Sequence, residues 1–456
     1  MSESTPTLLQ QAVRNAAVTR EVVVERDAVR ALPDVARRHA PQAHWLVVAD
    51  ETTWNVAGLS VQSVLAQAGI ATAEPLVLPS APRLKPAAHT ASRIAAQVVE
   101  TGALPIAVGS GVINDLVKYA AALAGRPYAC VATAASMDGY AASGAALMQD
   151  GFKRTLPCAP PLAVLADLDV LAAAPARMAA WGYGDLAGKV VAGADWLLAD
   201  VLGVEAINPQ PYALVQDHLA RWLAAPERLA AREPDALGTL LGGLLVTGFA
   251  MQAHGNSRPA SGSDHQFSHL WEMEGLQVDG EPAAHGACVG VGCVAMLAMY
   301  EWLLAQPLPA VQALRASDAA GADAAHEAAA LAREVEAALG TGELADAAGI
   351  ELQAKRAIGS RAARVQRFVG AWPQLRERLA AQLIGAHDMQ ARLRAVGGAS
   401  HPRDLGIGNA RLAADYRRAR LIRRRYTLLD LLEDVGWLDI ATRDLFEPRG
   451  FWGAQA

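Results

Sequence analysis

The sequence predicts an α/β N-terminal domain built on a largely parallel sheet, followed by an all-helical C-terminal domain. Three observations carry this. Six short β-rich runs recur between Ala-rich helical stretches from residue 20 to about 170, and after Pro175 such runs nearly disappear in favour of long patterns rich in Ala, Leu and Arg. The runs are also near-continuously apolar, as strands are when helices cover both faces of a parallel sheet.

In chain order the runs are EVVVE, HWLVVAD, PLVLP, PIAVGSG, YACVATA and LAVLADL. The domain boundary falls near Pro157–Pro175, giving domains 1–170 and 171–456, and residues 145–156 fit a hairpin appended to the sheet domain. Ligands of such sheets gather at the strands' C-terminal ends, and a cleft between domains is the expected place for a small molecule. The Ala-rich stretch Ala310–Ala348 favours helix and reads as a peripheral helical pair or an insertion.

Composition narrows the function classes. The 456 residues are 52% apolar and only 5% aromatic, so Ala, Leu and Val must build the core of a folded chain. Forty-six acidic against forty basic side chains leave a net charge of −6, with no global field for nucleic acid or an anionic membrane. The four cysteines show no C-x-x-C pairing, which suits reduced thiols in a cytoplasm. The N-terminus lacks the pattern of a signal peptide, and the apolar stretches near Leu240–Met251 and Val289–Ala305 read as core helices.

One candidate site lies in the first domain. Ile106 to Lys118 (IAVGSGVINDLVK) reads as strand, tight glycine turn and helix, where glycines admit a close pyrophosphate and the helix start offers free N–H groups. Asp50, closing HWLVVAD, can accept from a ribose diol or simply cap the next helix. Thr133 and Ser136 follow another strand and can reach cofactor phosphate or nicotinamide. Three sheet ends with ligand-type residues favour a dinucleotide-binding domain.

A second site lies in SGSDHQFSHLWE and the following His285-Gly286. His265 and His269 are four apart and share one helix face, and His285 follows sixteen residues later. A catalytic metal takes three protein ligands, often with a carboxylate beside two histidines, and Asp185 of GYGDLAGK is the candidate carboxylate. Spacing does not decide which of His265 and His269 is the ligand. Gln266 stands where a zinc protease has glutamate, which argues against that class, and His254 reads as structural.

Together GSGVINDLVKYAA, TAASMDGYAASG, GYGDLAGKVVAGADW, SGSDHQFSHLWEM and HGACVGVG resemble the metal-dependent sn-glycerol-1-phosphate dehydrogenases, within the group that holds iron-containing alcohol dehydrogenases and dehydroquinate synthase. The closing RRYTLLDLLEDVGWLD and FEPRGFW resemble the bacterial members, so the likeness covers nearly the whole chain. The resemblance implies reversible reduction of dihydroxyacetone phosphate with NADH or NADPH. Related chemistry on another polyol, or on a phosphate- or phosphonate-bearing carbonyl compound, is the alternative. It implies a divalent metal, zinc or nickel or else iron, on Asp185, His265 and His285, which are also the catalytic set. Asp138, Asp185 and His269 would contact substrate, and Asp50, Gly109, Ser110, Gly111, Val112, Ile113, Thr133 and Ser136 would line the dinucleotide. A homodimer is the family-level expectation.

Three positions depart from the family pattern. Ala132 replaces a proline, Ala142 followed by Ser143 replaces a serine, and Asp264 replaces a glutamate before His265. The last is expected to leave the ligand geometry intact because a neighbouring helical residue points elsewhere. The basic run Arg417, Arg418, Arg420, Arg423, Arg424 and Arg425 reads as a solvated helical face or subunit contact rather than an RNA or lipid surface, since no interleaved aromatic platform accompanies it beyond Tyr416 and Tyr426.

Overall fold

The structure, a computed structural model, describes residues 4–149, 152–307 and 324–455. The chain forms two compact units, one of residues 1–186, 213–257 and 395–397 and one of residues 187–212, 258–394 and 398–456.

All six apolar runs form strands of one parallel sheet in the first unit: β1 (Glu21–Glu25), β2 (Trp45–Asp50), β3 (Leu76–Leu78), β4 (Leu104–Gly109), β5 (Ala129–Ala132) and β8 (Ala163–Asp167), in the order β1-β8-β5-β4-β2-β3. Val47, Ile106, Val108, Val131 and Leu165 from the central strands share a buried cluster. Each such side chain contributes about 1.5–3 kcal/mol by leaving water. The edges differ: Val22, Val23 and Val24 of β1 are only half-buried, and Val77 of β3 is exposed. An edge strand has one neighbour instead of two, so the same apolar run is less covered there.

Helices α1 (Thr5–Asn15), α2 (Leu32–His39), α3 (Leu59–Gln67), α4 (Ala88–Thr101) and α5 (Gly111–Leu123) belong to this unit. Within the expected hairpin 145–156, β6 (Ala145–Gln149) and β7 (Phe152–Leu156) pair antiparallel apart from the main sheet, with Ala145 opposite Leu156, while residues 150–151 lie outside the described residues. Gly144 enters β6 at φ +84°, a conformation that favours glycine. The buried Lys118 ammonium of α5 donates to the carbonyls of Gly139, Ala142 and Gly144 at 2.6, 2.9 and 3.2 Å and so ties down the preceding loop. Then follow α6 (Leu168–Ala173), α7 (Ala176–Val201), α8 (Pro209–Trp222) and α9 (Pro234–His254).

The second unit takes the later part of α7 and is otherwise almost entirely helical: α10 (Ser263–Met273), α11 (His285–Leu304), α12 (Ala324–Leu339), α13 (Glu343–Arg356), α14 (Arg361–Gln382), α15 (Ala386–Ala395), α16 (Asn409–Leu421), α17 (Leu428–Asp434) and α18 (Leu438–Phe446). Glycines let three helices approach closely. A Cβ on Gly292 of α11 would lie 2.5 Å from the Asp264 carbonyl oxygen, and one on Gly188 of α7 would lie 2.3 Å from Asp264 Oδ2. Buried Asp195 of α7 gathers the rest: it accepts from Ser263 N and Oγ, Tyr300 Oη and Leu428 N at 2.6 to 2.9 Å. Burial pushes the Asp195 carboxyl up, and these donors pull it back.

Of the Ala-rich segment, α12 and α13 pack together through Val335, Ala345, Ala348 and Leu352 as a helical pair, while residues 308–323 lie outside the described residues. The apolar helices α9 and α11 are long enough to cross a membrane, and 78% of each apolar window is buried inside the fold. The basic run is neither a solvated face nor bare. Arg417 pairs with Asp439 and Glu433, Arg418 with Asp415 and Glu274, Arg420 with Glu334, and Arg424 with Glu351. Asp415 is on α16 itself, three residues before Arg418, and the other carboxylates come from segments distant in sequence within the same unit, a pairing that composition alone does not reveal.

Candidate metal and dinucleotide site

The histidine cluster is built by α10 and the first residue of α11. His265 and His269 share a face of α10, and His285 begins α11. The ring centroids of His265 and His285 stand 5.3 Å apart, those of His265 and His269 6.3 Å, and those of His269 and His285 5.8 Å.

Carboxylates fix two of these rings. His265 Nδ1 lies 2.5 Å from Asp264 Oδ2, and His285 Nδ1 lies 2.7 Å from Glu272 Oε1 and 3.0 Å from Ser268 Oγ. A carboxylate only accepts, so both Nδ1 atoms carry the proton and both Nε2 atoms keep a lone pair for a ligand. The sequence expectation that Asp264 points elsewhere is therefore corrected: its carboxylate turns back onto the adjacent imidazole, and its other oxygen accepts from Gly262 N at 3.1 Å. Ser268 Oγ also donates to Glu272 Oε1 at 2.6 Å.

Asp185 lies on α7, fully buried, and Asp138 N donates to its Oδ2 at 2.9 Å. Asp185, His265 and His285 each offer one donor atom, all within 4.8 Å of one another, the one such group of three found among the described residues. One carboxylate and two imidazoles with their outer nitrogens already engaged match the donor chemistry of a catalytic divalent cation. His254 ends α9 and is not of this group. His269 sits beside the Arg423 guanidinium, Nη2 being 3.3 Å from each ring nitrogen. Burial holds the Arg423 guanidinium below its usual range.

The dinucleotide candidates gather at the C-terminal ends of the parallel strands. Gly109 ends β4, Ser110 caps α5, and Gly111, Val112 and Ile113 form its first turn. A Cβ on Gly109 would fall 2.7 Å from Ile113 Cβ, so the turn requires glycine. Thr133 follows β5 directly and its N–H donates to the Gly109 carbonyl at 3.1 Å, which brings those two loops together. Ser136 lies three residues on, and Ser143 is exposed. Asp50 ends β2 and caps the next helical turn, its Oδ1 accepting from Thr53 N at 2.7 Å.

Sequence reasoning missed Glu272, Ser268, Arg423 and Lys118. Ser268 and Glu272 carry a faint signal, being four apart on the histidine helix, but their partner His285 comes from the next helix.

The profile of iron-containing alcohol dehydrogenases matches residues 23–175. The glycerol-1-phosphate dehydrogenase [NAD(P)+] of Bacillus subtilis (strain 168) is 35% identical over 285 residues, covering 62% of this chain and 72% of that protein. The chain belongs to the glycerol-1-phosphate dehydrogenase family. The glycerol-1-phosphate dehydrogenase [NAD(P)+] of Methanosarcina acetivorans is 31% identical, over 62% of this chain and 76% of that one. Glycerol dehydrogenase from Schizosaccharomyces pombe shares the fold of this glycerol-1-phosphate dehydrogenase family member at TM-score 0.58 and 14% identity, covering 95% of this chain and 92% of that one.

Proposed function

We propose that this chain reversibly reduces dihydroxyacetone phosphate to sn-glycerol 1-phosphate with NADH or NADPH, Asp185, His265 and His285 holding one divalent cation, zinc or nickel. The observation that carries the reading is the convergence of those three donors within 4.8 Å, two of them imidazoles braced by carboxylates. When bound, such a cation polarises a carbonyl oxygen and the dinucleotide supplies hydride.

The chain's own groups do the positioning. Asp264 and Glu272 keep the His265 and His285 rings in one tautomer, and Asp138 N orients the Asp185 carboxylate. The Arg423 guanidinium offers positive charge for the substrate phosphate, and His269 beside it offers a ring nitrogen for the substrate. The glycine turn at Gly109, Ser110 and Gly111, with Val112, Ile113, Thr133 and Ser136, receives the dinucleotide phosphates and nicotinamide, and Asp50 the ribose. The enzyme works in the cytoplasm, a reading supported by four free cysteines, and as a homodimer.

Metal-reconstituted protein is assayed for NADH oxidation with dihydroxyacetone phosphate, followed by chiral analysis of the product. Turnover giving sn-glycerol 1-phosphate is expected. Preference for an unphosphorylated polyol or a phosphonate-bearing carbonyl compound in the same panel overturns the substrate assignment.

A further inference from the structure

The second unit holds an open, solvent-facing pocket of about 420 Å³ between α15, the 3-10 turn Pro402–Leu405 and the C-terminal residues, and it shares no side chain with the metal candidates. Arg394, His401 and Arg403 line it. His401 is 9% exposed, and its Nδ1 accepts from Arg403 N at 3.1 Å. A ring nitrogen that accepts bears no proton, so in the neutral ring the proton sits on Nε2. That buried N–H meets no acceptor in the fold. Native proteins seldom leave such a donor idle, and a ligand is one of the ordinary reasons.

The rest of the lining points the same way. Asp404 is the carboxylate of the wall, and its Oδ2 is taken up by the N–H groups of Ser400 and His401 at 2.9 and 3.0 Å. Gln390 spends its amide nitrogen on Ser400 O and Gln455 Oε1. The His401 ring stands edge-on to Trp452 at 5.5 Å, and the His387 ring packs tilted against Phe451 at 4.6 Å. Two guanidinium groups and one imidazole N–H therefore remain as donors around a space larger than a bare ion needs. We infer that this cavity binds a small oxyanion, the phosphate or carboxylate group of a metabolite, through Arg394, Arg403 and His401 Nε2.

The test reads His401 itself, by NMR of the intact chain labelled in its histidine rings, the His401 signal being the one lost in His401→Phe. Inorganic phosphate and acetate are titrated separately. The signal is expected to shift in a saturable manner and its titration midpoint to move up, because a bound anion favours the protonated ring. In Arg394→Gln and Arg403→Gln, both on exposed side chains, the shift is lost while the fold is kept. A response to phosphate alone or to acetate alone identifies which oxyanion is taken. No response to either probe, or the same response in both arginine variants, overturns the inference.

Discussion

Glu272 Oε1 lies 2.7 Å from His285 Nδ1, so a residue of α10 sets the proton position on the first residue of α11. Such outer partners typically govern metal affinity by about 10–100-fold. Glu272→Ala is expected to weaken zinc binding by about that factor with the fold intact, as read by competition with a chromophoric chelator. Unchanged affinity removes Glu272 from the site.

His265→Ala, His285→Ala and Asp185→Ala are each expected to abolish metal binding and turnover together. His269→Ala should keep its metal and mainly raise KM for dihydroxyacetone phosphate. Elemental analysis beside steady-state kinetics separates them. Metal lost from the His269 variant and kept in the His265 variant would reverse the assignment.

Asp50 caps Thr53 N, and two substitutions separate that cap from the proposed ribose contact. Asp50→Ala removes the cap on Thr53 N and costs about 1 kcal/mol of stability. Asp50→Asn keeps an accepting oxygen but removes the charge that repels a 2′-phosphate. Its ratio of kcat/KM for NADPH over NADH should therefore rise, and an unmoved ratio shows that Asp50 does not face the ribose.

Gly188→Ala would drive a methyl group toward Asp264 Oδ2 and Val289 Cγ1, at 2.3 and 2.6 Å. Overpacking of this kind costs about 1–3 kcal/mol. A lowered Tm together with weaker metal binding is expected, since Asp264 is the partner of His265.

Burial, and then the nearby Arg403 and Arg394, hold the His401 pKa below its ordinary value of 6.5 against the opposing pull of Asp404. A base whose folded pKa is depressed contributes stability that is present above its unfolded pKa and lost as pH falls toward the folded one. Tm should thus drop as pH is taken below about 6.5. His401→Phe should flatten that part of the profile, and an equally steep profile in the variant would assign the loss to other groups.

Much of the fold could be read from the sequence because each buried strand is a continuous apolar run closed by a turn or capping residue, as Val47 to Asp50 and Ile106 to Gly109 are. Edge status could not: the runs around Val23 and Val77 look like central strands, since the number of neighbouring strands is a property of the sheet. The shared face of His265 and His269 followed from helical spacing alone. That spacing treats both rings alike, and only the position of His285 and the carboxylate bracing of His265 tell them apart. The arginine run showed its charge but not its partners, because Glu274, Glu334 and Glu351 come from segments far away in sequence.

Helix α10 carries Asp264, His265, Ser268, His269 and Glu272 on one continuous backbone. Each residue added to an α-helix turns everything beyond it by about 100°. A single insertion or deletion between His265 and Glu272 would therefore swing the brace of His285 away from its ring while leaving His265 where it is. Chain length through this segment acts as a fixed ruler, so descendants of this sequence can trade side chains along α10 far more readily than they can gain or lose one position within it.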